Sequence, residues 1–182
     1  MSNETQALEP ISSSIPPDDP KRDLIVQGVE AENAIHLGVV GDTYTILLSG
    51  RDTAGHCCVI DMHVPPGGGP PPHRHDFEET FVILEGELDA TFRGKKRGVR
   101  AGDTVNVPAN APHQFHNFSE KPVRMLCICS PAGQEDFFKE IGVRVATRTT
   151  APPKLDQEAQ QAFMKKALAL APKYKTEILQ QA

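Results

Sequence analysis

The chain has 182 residues, 38% of them hydrophobic and 24% charged, which is enough for one domain with a substantial core and too little for two large ones. Its formal net charge of -5 at pH 7, with acidic and basic residues interspersed, offers no basic face to nucleic acid or to an anionic membrane. The opening stretch lacks the basic and apolar regions of an export signal and no apolar run reaches transmembrane length, so a soluble cytoplasmic protein without nucleic-acid or membrane partners is expected.

In chain order, residues 1–22 are rich in Ser, Pro, Asp and Glu and read as a flexible N-terminal arm, because they cannot bury enough apolar surface to offset their ordering entropy. The main body is expected over residues 23–150. From about Ile35 the texture changes to short β-branched, apolar or alternating runs bounded by Gly, Pro and Asp: YTILLSG, CCVIDMHV, TFVILEG, LDATFRG, DTVNVP and VRMLCICS. Closely spaced strands with turn signals predict an all-β sandwich or barrel, and the lack of a helical pattern between them argues against a parallel sheet. Cys57, Cys58, Cys127 and Cys129 sit inside apolar runs, outside any CxxC pair, and read as buried reduced thiols.

The stretch RGKKRG, residues 93–98, predicts a hairpin turn with lysines on its tip. Further on, GQEDFFKEIG predicts a short helix near 134–141 with Phe137, Phe138 and Ile141 on one side and Gly142 as a left-handed stop. Residues 151–182 read as a C-terminal helix and tail. Asp156 is the N-cap candidate, Leu155, Ala159, Phe163, Ala167 and Leu170 recur at helical spacing, and Pro172 marks the end. This helix is expected to clamp the β body or a partner subunit.

The chemistry concentrates in PPHRHDFEETFVILEG, residues 71–86. Residues two apart on a strand share a face, so His73 and His75 can aim both imidazoles at one point, half of a transition-metal site. Glu79 has their parity, whereas Glu78 does not and is assigned to solvent or to a supporting role. Pro65, Pro66, Pro70, Pro71 and Pro72 stiffen the approach to this segment, and Gly67, Gly68 and Gly69 let the backbone turn where a Cβ would obstruct it. A further donor comes from GDTVNVPANAPHQFHNFS, where His113 and His116 differ in parity and spacing alone does not choose between them.

These two stretches resemble the paired motifs of the cupin superfamily. Gly67, His73, His75, Glu79 and Gly86 match the first motif, and Gly102, Pro108, His113 and Asn117 match the second. Asn110 stands where the family usually has glycine, a residue that also tolerates positive φ. The resemblance implies a small double-stranded β-helix (jelly-roll) barrel with short C-terminal helices and one metal held by His73, His75, Glu79 and His113. His116 then becomes a rim or core residue, and Phe81 and Ile83, which continue the parity of Glu79, are expected to line the interior below the metal.

The ion is expected to be a divalent transition metal, and Fe, Mn, Ni, Co, Cu and Zn all accept such ligands. The layout resembles bacterial single-domain cupins compared with quercetin 2,3-dioxygenase, which implies an oxidoreductase of dioxygenase type on a small metal-chelating substrate, with Glu79 as the catalytic base. A small-ligand binding or sensing cupin and a metal-dependent isomerase are the alternatives. A homodimer is expected, because an open barrel leaves edge strands to be covered.

Overall fold

The structure is a computed structural model and describes residues 14–180. Residues 1–13 of the expected arm lie outside the described residues. Residues 14–34 carry no helix or strand and are mostly exposed. Ten strands follow: β1 (Ile35–Val39), β2 (Asp42–Leu48), β3 (Cys58–Val64), β4 (His73–His75), β5 (Glu78–Glu85), β6 (Glu87–Phe92), β7 (Lys95–Arg100), β8 (Thr104–Val107), β9 (His113–His116) and β10 (Val123–Ser130). The helix α1 (Gln134–Ile141), the short strand β11 (Val143–Arg144), the helix α2 (Gln157–Leu170), a 3-10 turn at Ala171–Tyr174 and a last strand β12 (Thr176–Ile178) complete the described chain. All six runs singled out in the sequence fall on strands. No helix among the described residues is long and apolar enough to cross a membrane.

The fold is mostly β and built from two antiparallel sheets, which are not closed into one barrel. One has the order β11-β1-β2-β3-β10-β5-β8 and the other β12-β4-β9-β6-β7. Their inner faces pack against each other, as the edge-to-face contact of Phe81 on β5 with Phe115 on β9 demonstrates (ring centroids 5.4 Å apart). Period-2 alternation decides what faces inward. On β10 Val123, Met125, Cys127 and Cys129 are buried, and on β5 Glu79, Phe81 and Ile83 are.

Two of the chain's passages from one sheet to the other are very short. Between β4 and β5 the crossing takes only Asp76 and Phe77. Between β5 and β6 it takes Gly86 alone, at φ 80°, where a Cβ would lie 2.9 Å from the Pro122 carbonyl oxygen.

Two local expectations need correction. The β6–β7 turn consists of Arg93 and Gly94, both at positive φ, while Lys95 and Lys96 belong to β7 and pair with Phe92 and Thr91. A two-residue turn of this kind matches the twist of the flanking strands, so the ladder continues up to it and the lysines are not at the tip. Gly142 is extended (φ -78°, ψ 166°) rather than left-handed. A Cβ there would come within 2.7 Å of the Phe138 carbonyl oxygen and 3.0 Å of Val39, so close packing against β1 accounts for the glycine.

The C-terminal elements lie over one end of the sheets. The Asp156 side chain accepts a hydrogen bond from the Ala159 amide (2.9 Å) and caps α2 as expected. Ala167 is buried, Phe163 and Leu170 pack against the core, and Leu155 precedes the helix and is exposed. The chain then returns as β12, which pairs Thr176 with His75 and Ile178 with His73. This strand carries no clear sequence signal and covers what would otherwise be the free edge of β4.

Asp42, at the start of β2, is fully buried. Its Oδ2 accepts a hydrogen bond from the Tyr44 hydroxyl (3.1 Å), and its Oδ1 has no partner. Burial pushes its pKa up to about 7 against the opposing hydrogen bonds of Tyr44 and the Gly69 backbone. The folded state therefore keeps a proton that the unfolded chain releases near pH 4, so this group's contribution to stability falls as pH rises through 7. Asp42→Asn should remove that dependence. Thermal melts from pH 5 to 8 should show the wild-type melting temperature dropping by several degrees relative to the variant, and parallel curves would refute the assignment.

Candidate metal centre

The four side chains singled out in the sequence come together. One donor atom from each of His73, His75, Glu79 and His113 lies within 4.8 Å of all the others. His73 and His75 share β4, and His113 pairs directly with His73 from the neighbouring strand β9. Glu79 reaches the same point from the opposite sheet because the chain changes sheets between His75 and Glu78. Phe77, inside that crossing, stacks on the His75 ring (centroids 3.8 Å apart, 4° between planes) and fixes its orientation. His116 has the other parity and packs against Phe118 instead (4.1 Å).

Each imidazole is held in one tautomer. The Nδ1–H groups of His73, His75 and His113 donate to the carbonyl oxygens of Pro71, Phe77 and Ala111, each at 2.9 Å, so in the neutral ring every Nε2 keeps a lone pair. The Nε2 atoms of His75 and His113 both lie 3.0 Å from Glu79 Oε2. A lone pair and a carboxylate oxygen at that distance repel unless a proton or another cation lies between them.

The titration behaviour follows from this arrangement. Burial alone would raise the Glu79 pKa, but hydrogen bonds with His113 and His75, which form when a proton occupies the Nε2 position, outweigh it and hold the carboxyl well below its ordinary range. Burial likewise disfavours charge on His113, and Glu79 overcomes it, so its pKa is raised. His73 has no such partner within hydrogen-bond reach; burial, reinforced by His113, pushes it down to about 4. Three imidazoles and one carboxylate, with preset tautomers and a positive charge demanded at their centre, fit a divalent transition ion.

The other oxygen of Glu79 faces sulfur. Cys127 Sγ donates to Oε1 at 3.2 Å, and Cys129 Sγ is 3.6 Å from Cys127 Sγ. The hydrogen bond with Cys129 lowers the Cys127 pKa, but burial and the Glu79 charge push it up to about 12, so the thiol is a donor at neutral pH. The sequence reading recognised these cysteines as buried thiols and missed their contact with Glu79. The parity of VRMLCICS places them inward, but only the sheet order sets β10 beside β5, with Cys129 opposite Glu79.

The supporting turns are also specific. Glu78 points outward and accepts hydrogen bonds from the Ala109 amide (3.1 Å) and Asn106 Nδ2 (2.9 Å), which steadies the turn before His113. Asn110, at φ 67°, occupies the position usually filled by glycine and donates its amide to the His75 carbonyl (2.7 Å). Asn117 is fully buried and donates to the carbonyls of Val64 and Lys121. Its backbone also pairs with Gly67 and Gly68, and a Cβ on Gly69 would collide with the Phe115 carbonyl.

Two cavities reach the cluster. One of about 440 Å³ opens beside His113 and is walled by Phe81, Ile83, Phe115 and Met125. The other, of about 70 Å³, reaches His73 and Glu79 and is roofed by Phe137, Phe163 and Ile178 from α1, α2 and β12. The His73 shift is directly measurable. In chelator-treated protein at pH 7, nitrogen-15 NMR should find His73 neutral with its proton on Nδ1, and it should stay neutral until the pH approaches 4. Protonation near pH 6.5 would contradict the buried, carbonyl-bound ring.

Comparison with known proteins agrees with this geometry. Residues 60–129 match the cupin domain family. An uncharacterized protein of Methanocaldococcus jannaschii, MJ1618, is 38% identical over 76 residues, covering 40% of this chain and 60% of the relative. Quercetin 2,3-dioxygenase of Bacillus subtilis is 29% identical over 100 residues, covering 54% of this chain and 29% of the enzyme. The chain thus spans less than two thirds of either relative. Among solved structures, a predicted oxalate decarboxylase from Thermotoga maritima superposes with a TM-score of 0.53 at 21% identity, covering 59% of this chain and 99% of that one. The polyketide cyclase RemF of Streptomyces resistomycificus superposes with a TM-score of 0.52 at 18% identity, covering 80% and 99%. Residues 60–129, which carry both motifs assembled around one buried point, thus match the cupin domain family.

Proposed function

We propose that this protein binds a divalent transition metal through His73, His75, Glu79 and His113 and acts as an oxidoreductase of dioxygenase type on a small metal-chelating organic substrate. The observation that carries the reading is the convergence of three imidazoles with free Nε2 lone pairs on a buried carboxylate that borders an apolar cavity. The similarity to quercetin 2,3-dioxygenase over 100 residues supports the reaction class. In the same reading the two sheets are the halves of a jelly roll.

The metal would supply Lewis acidity and redox capacity at the point where the four donors meet. The protein's own part is positional. Glu79, fixed by Cys127 on Oε1, offers Oε2 as the base that takes the proton of an enol or hydroxyl group entering from the smaller cavity. Phe115, Phe137 and Phe163 keep water from that cavity and so strengthen the electrostatics within it. Its volume of about 70 Å³ is far below the roughly 300–1,000 Å³ of sites for drug-sized ligands. This favours a short-chain diketone or hydroxy-ketone over a flavonol unless α2 and β12 move aside.

Elemental analysis of protein purified without added metal or chelator should find close to one transition-metal ion per chain. His75→Ala should weaken metal binding by at least roughly tenfold, because one imidazole of a small set is lost. With Fe, Mn or Ni restored under anaerobic conditions, oxygen uptake should then depend on both the metal and a chelating substrate. Uptake that is absent across diketones, hydroxy-ketones and flavonols would overturn the dioxygenase reading. A ligand that perturbs the metal spectrum and is recovered unchanged would assign the site to binding.

A further inference from the structure

One buried polar group in the wall of the smaller cavity remains unexplained by the metal centre. Gln134, the first residue of α1, is only 5% exposed and lines this cavity together with His73 and Glu79, and its Oε1 has no hydrogen-bond partner. Buried acceptors without a donor oppose folding and are few in native proteins. Rotating the amide by half a turn would replace the unpaired acceptor with an unpaired donor, so the anomaly does not depend on how the amide is assigned.

Gln134 is also held where it stands. The neighbouring Glu135 is buried, accepts hydrogen bonds from the Gly50 amide (2.6 Å) and the Gly133 amide (2.8 Å), and so ties the start of α1 to the β2–β3 loop. Phe137, Phe138 and Ile141 of α1 are buried in the core. Apart from Gln134 and the two candidate ligands, the cavity wall is mostly aromatic and aliphatic, and the hydroxyls of Tyr44 and Thr176, which also border it, already donate to Asp42 and to the Tyr174 carbonyl. A site built in this way orients a molecule through its few unspent polar groups.

We propose that Gln134 is a specificity-determining residue: its Oε1 accepts a hydrogen bond from an O–H or N–H at one end of a small, otherwise apolar molecule whose other end chelates at the His73–Glu79 side. The inference rests on the reading of the four-residue cluster as a metal centre, and it adds the substrate class, a short chelator carrying a donor group at its far end. Discrimination follows from the unpaired acceptor. A ligand with a hydroxyl satisfies Oε1, whereas one ending in methyl buries it again without a partner, and such sites discriminate more strongly than apolar pockets do.

The test uses Co(II)-loaded full-length protein and two probes that differ by one hydroxyl, 2,4-pentanedione and 1-hydroxy-2,4-pentanedione, titrated against the visible Co(II) spectrum. Wild type should bind the hydroxylated probe at least about tenfold more tightly, and in Gln134→Leu and Gln134→Met the ratio should fall to about one with Co(II) content unchanged. Two apolar variants guard against the misfolding of one. In parallel, the side-chain amide resonance of Gln134 in chelator-treated protein should shift with the hydroxylated probe and not with the other.

Equal affinity for both probes in wild type, or a preference that survives in both variants, overturns the assignment of Gln134. So does the absence of binding by either probe. Failure to load Co(II) sinks the metal reading instead, and the amide resonance then decides the role of Gln134 by itself. Discrimination without oxygen uptake removes the oxidoreductase reading and leaves this inference standing.

Discussion

A carboxylate buried between two sheets is the constraint around which the structure is organised. Glu79 is 3% exposed, and an ionised group in that position is tolerated only where its charge is met from several sides. Oε2 faces the Nε2 atoms of His75 and His113, and Oε1 faces the thiol of Cys127. These partners come from β4, β9 and β10, so the ionisation of one side chain depends on strands from both sheets. The same compensation makes the cluster a place for a cation, because three neutral imidazoles with inward lone pairs lower the energy of positive charge at their common centre.

The surrounding sequence keeps that point in place. The crossing at Asp76 and Phe77 lets two histidines and a glutamate from one continuous stretch face each other from different sheets, an arrangement that a single strand does not permit. Glu78, Asn110 and Asn117 tie the second motif to the first through backbone contacts, Asn110 by donating its amide to the His75 carbonyl, which steadies the position of His113. On the far side, α1, α2 and β12 convert what the sheets leave open into a small apolar chamber, and β12 supports the ligand strand directly. Stability and chemistry therefore draw on the same contacts. Substitutions in these turns are expected to act through geometry rather than through loss of a donor.

How much of this was legible in the sequence depended on the range of the interaction. Short β-branched, apolar or alternating runs bounded by Gly, Pro and Asp identified six strands, and parity placed Glu79 inward and Glu78 outward and put Phe81 and Ile83 on the interior face, since both signals are local. The N-cap at Asp156 and the buried face of α1 were readable for the same reason. The choice of His113 over His116 came from resemblance rather than from parity, and the structure brings only His113 into the cluster. Gly142 was misread because a glycine serves equally for a left-handed turn and for close packing, and the chain near it does not reveal Val39. The lysines were misplaced because two residues suffice for the β6–β7 turn.

The sequence by itself determined the β-rich class, the faces of the strands and the grouping of His73, His75 and Glu79, because spacing along the chain sets each of these, while His113 was named by motif resemblance. Tertiary structure alone decided that Cys127 touches Glu79, that Gln134 and His73 border one cavity, and that β12 completes the sheet of β4. Those relations join residues dozens of positions apart, and they exist only once strand order and helix docking have set which surfaces meet.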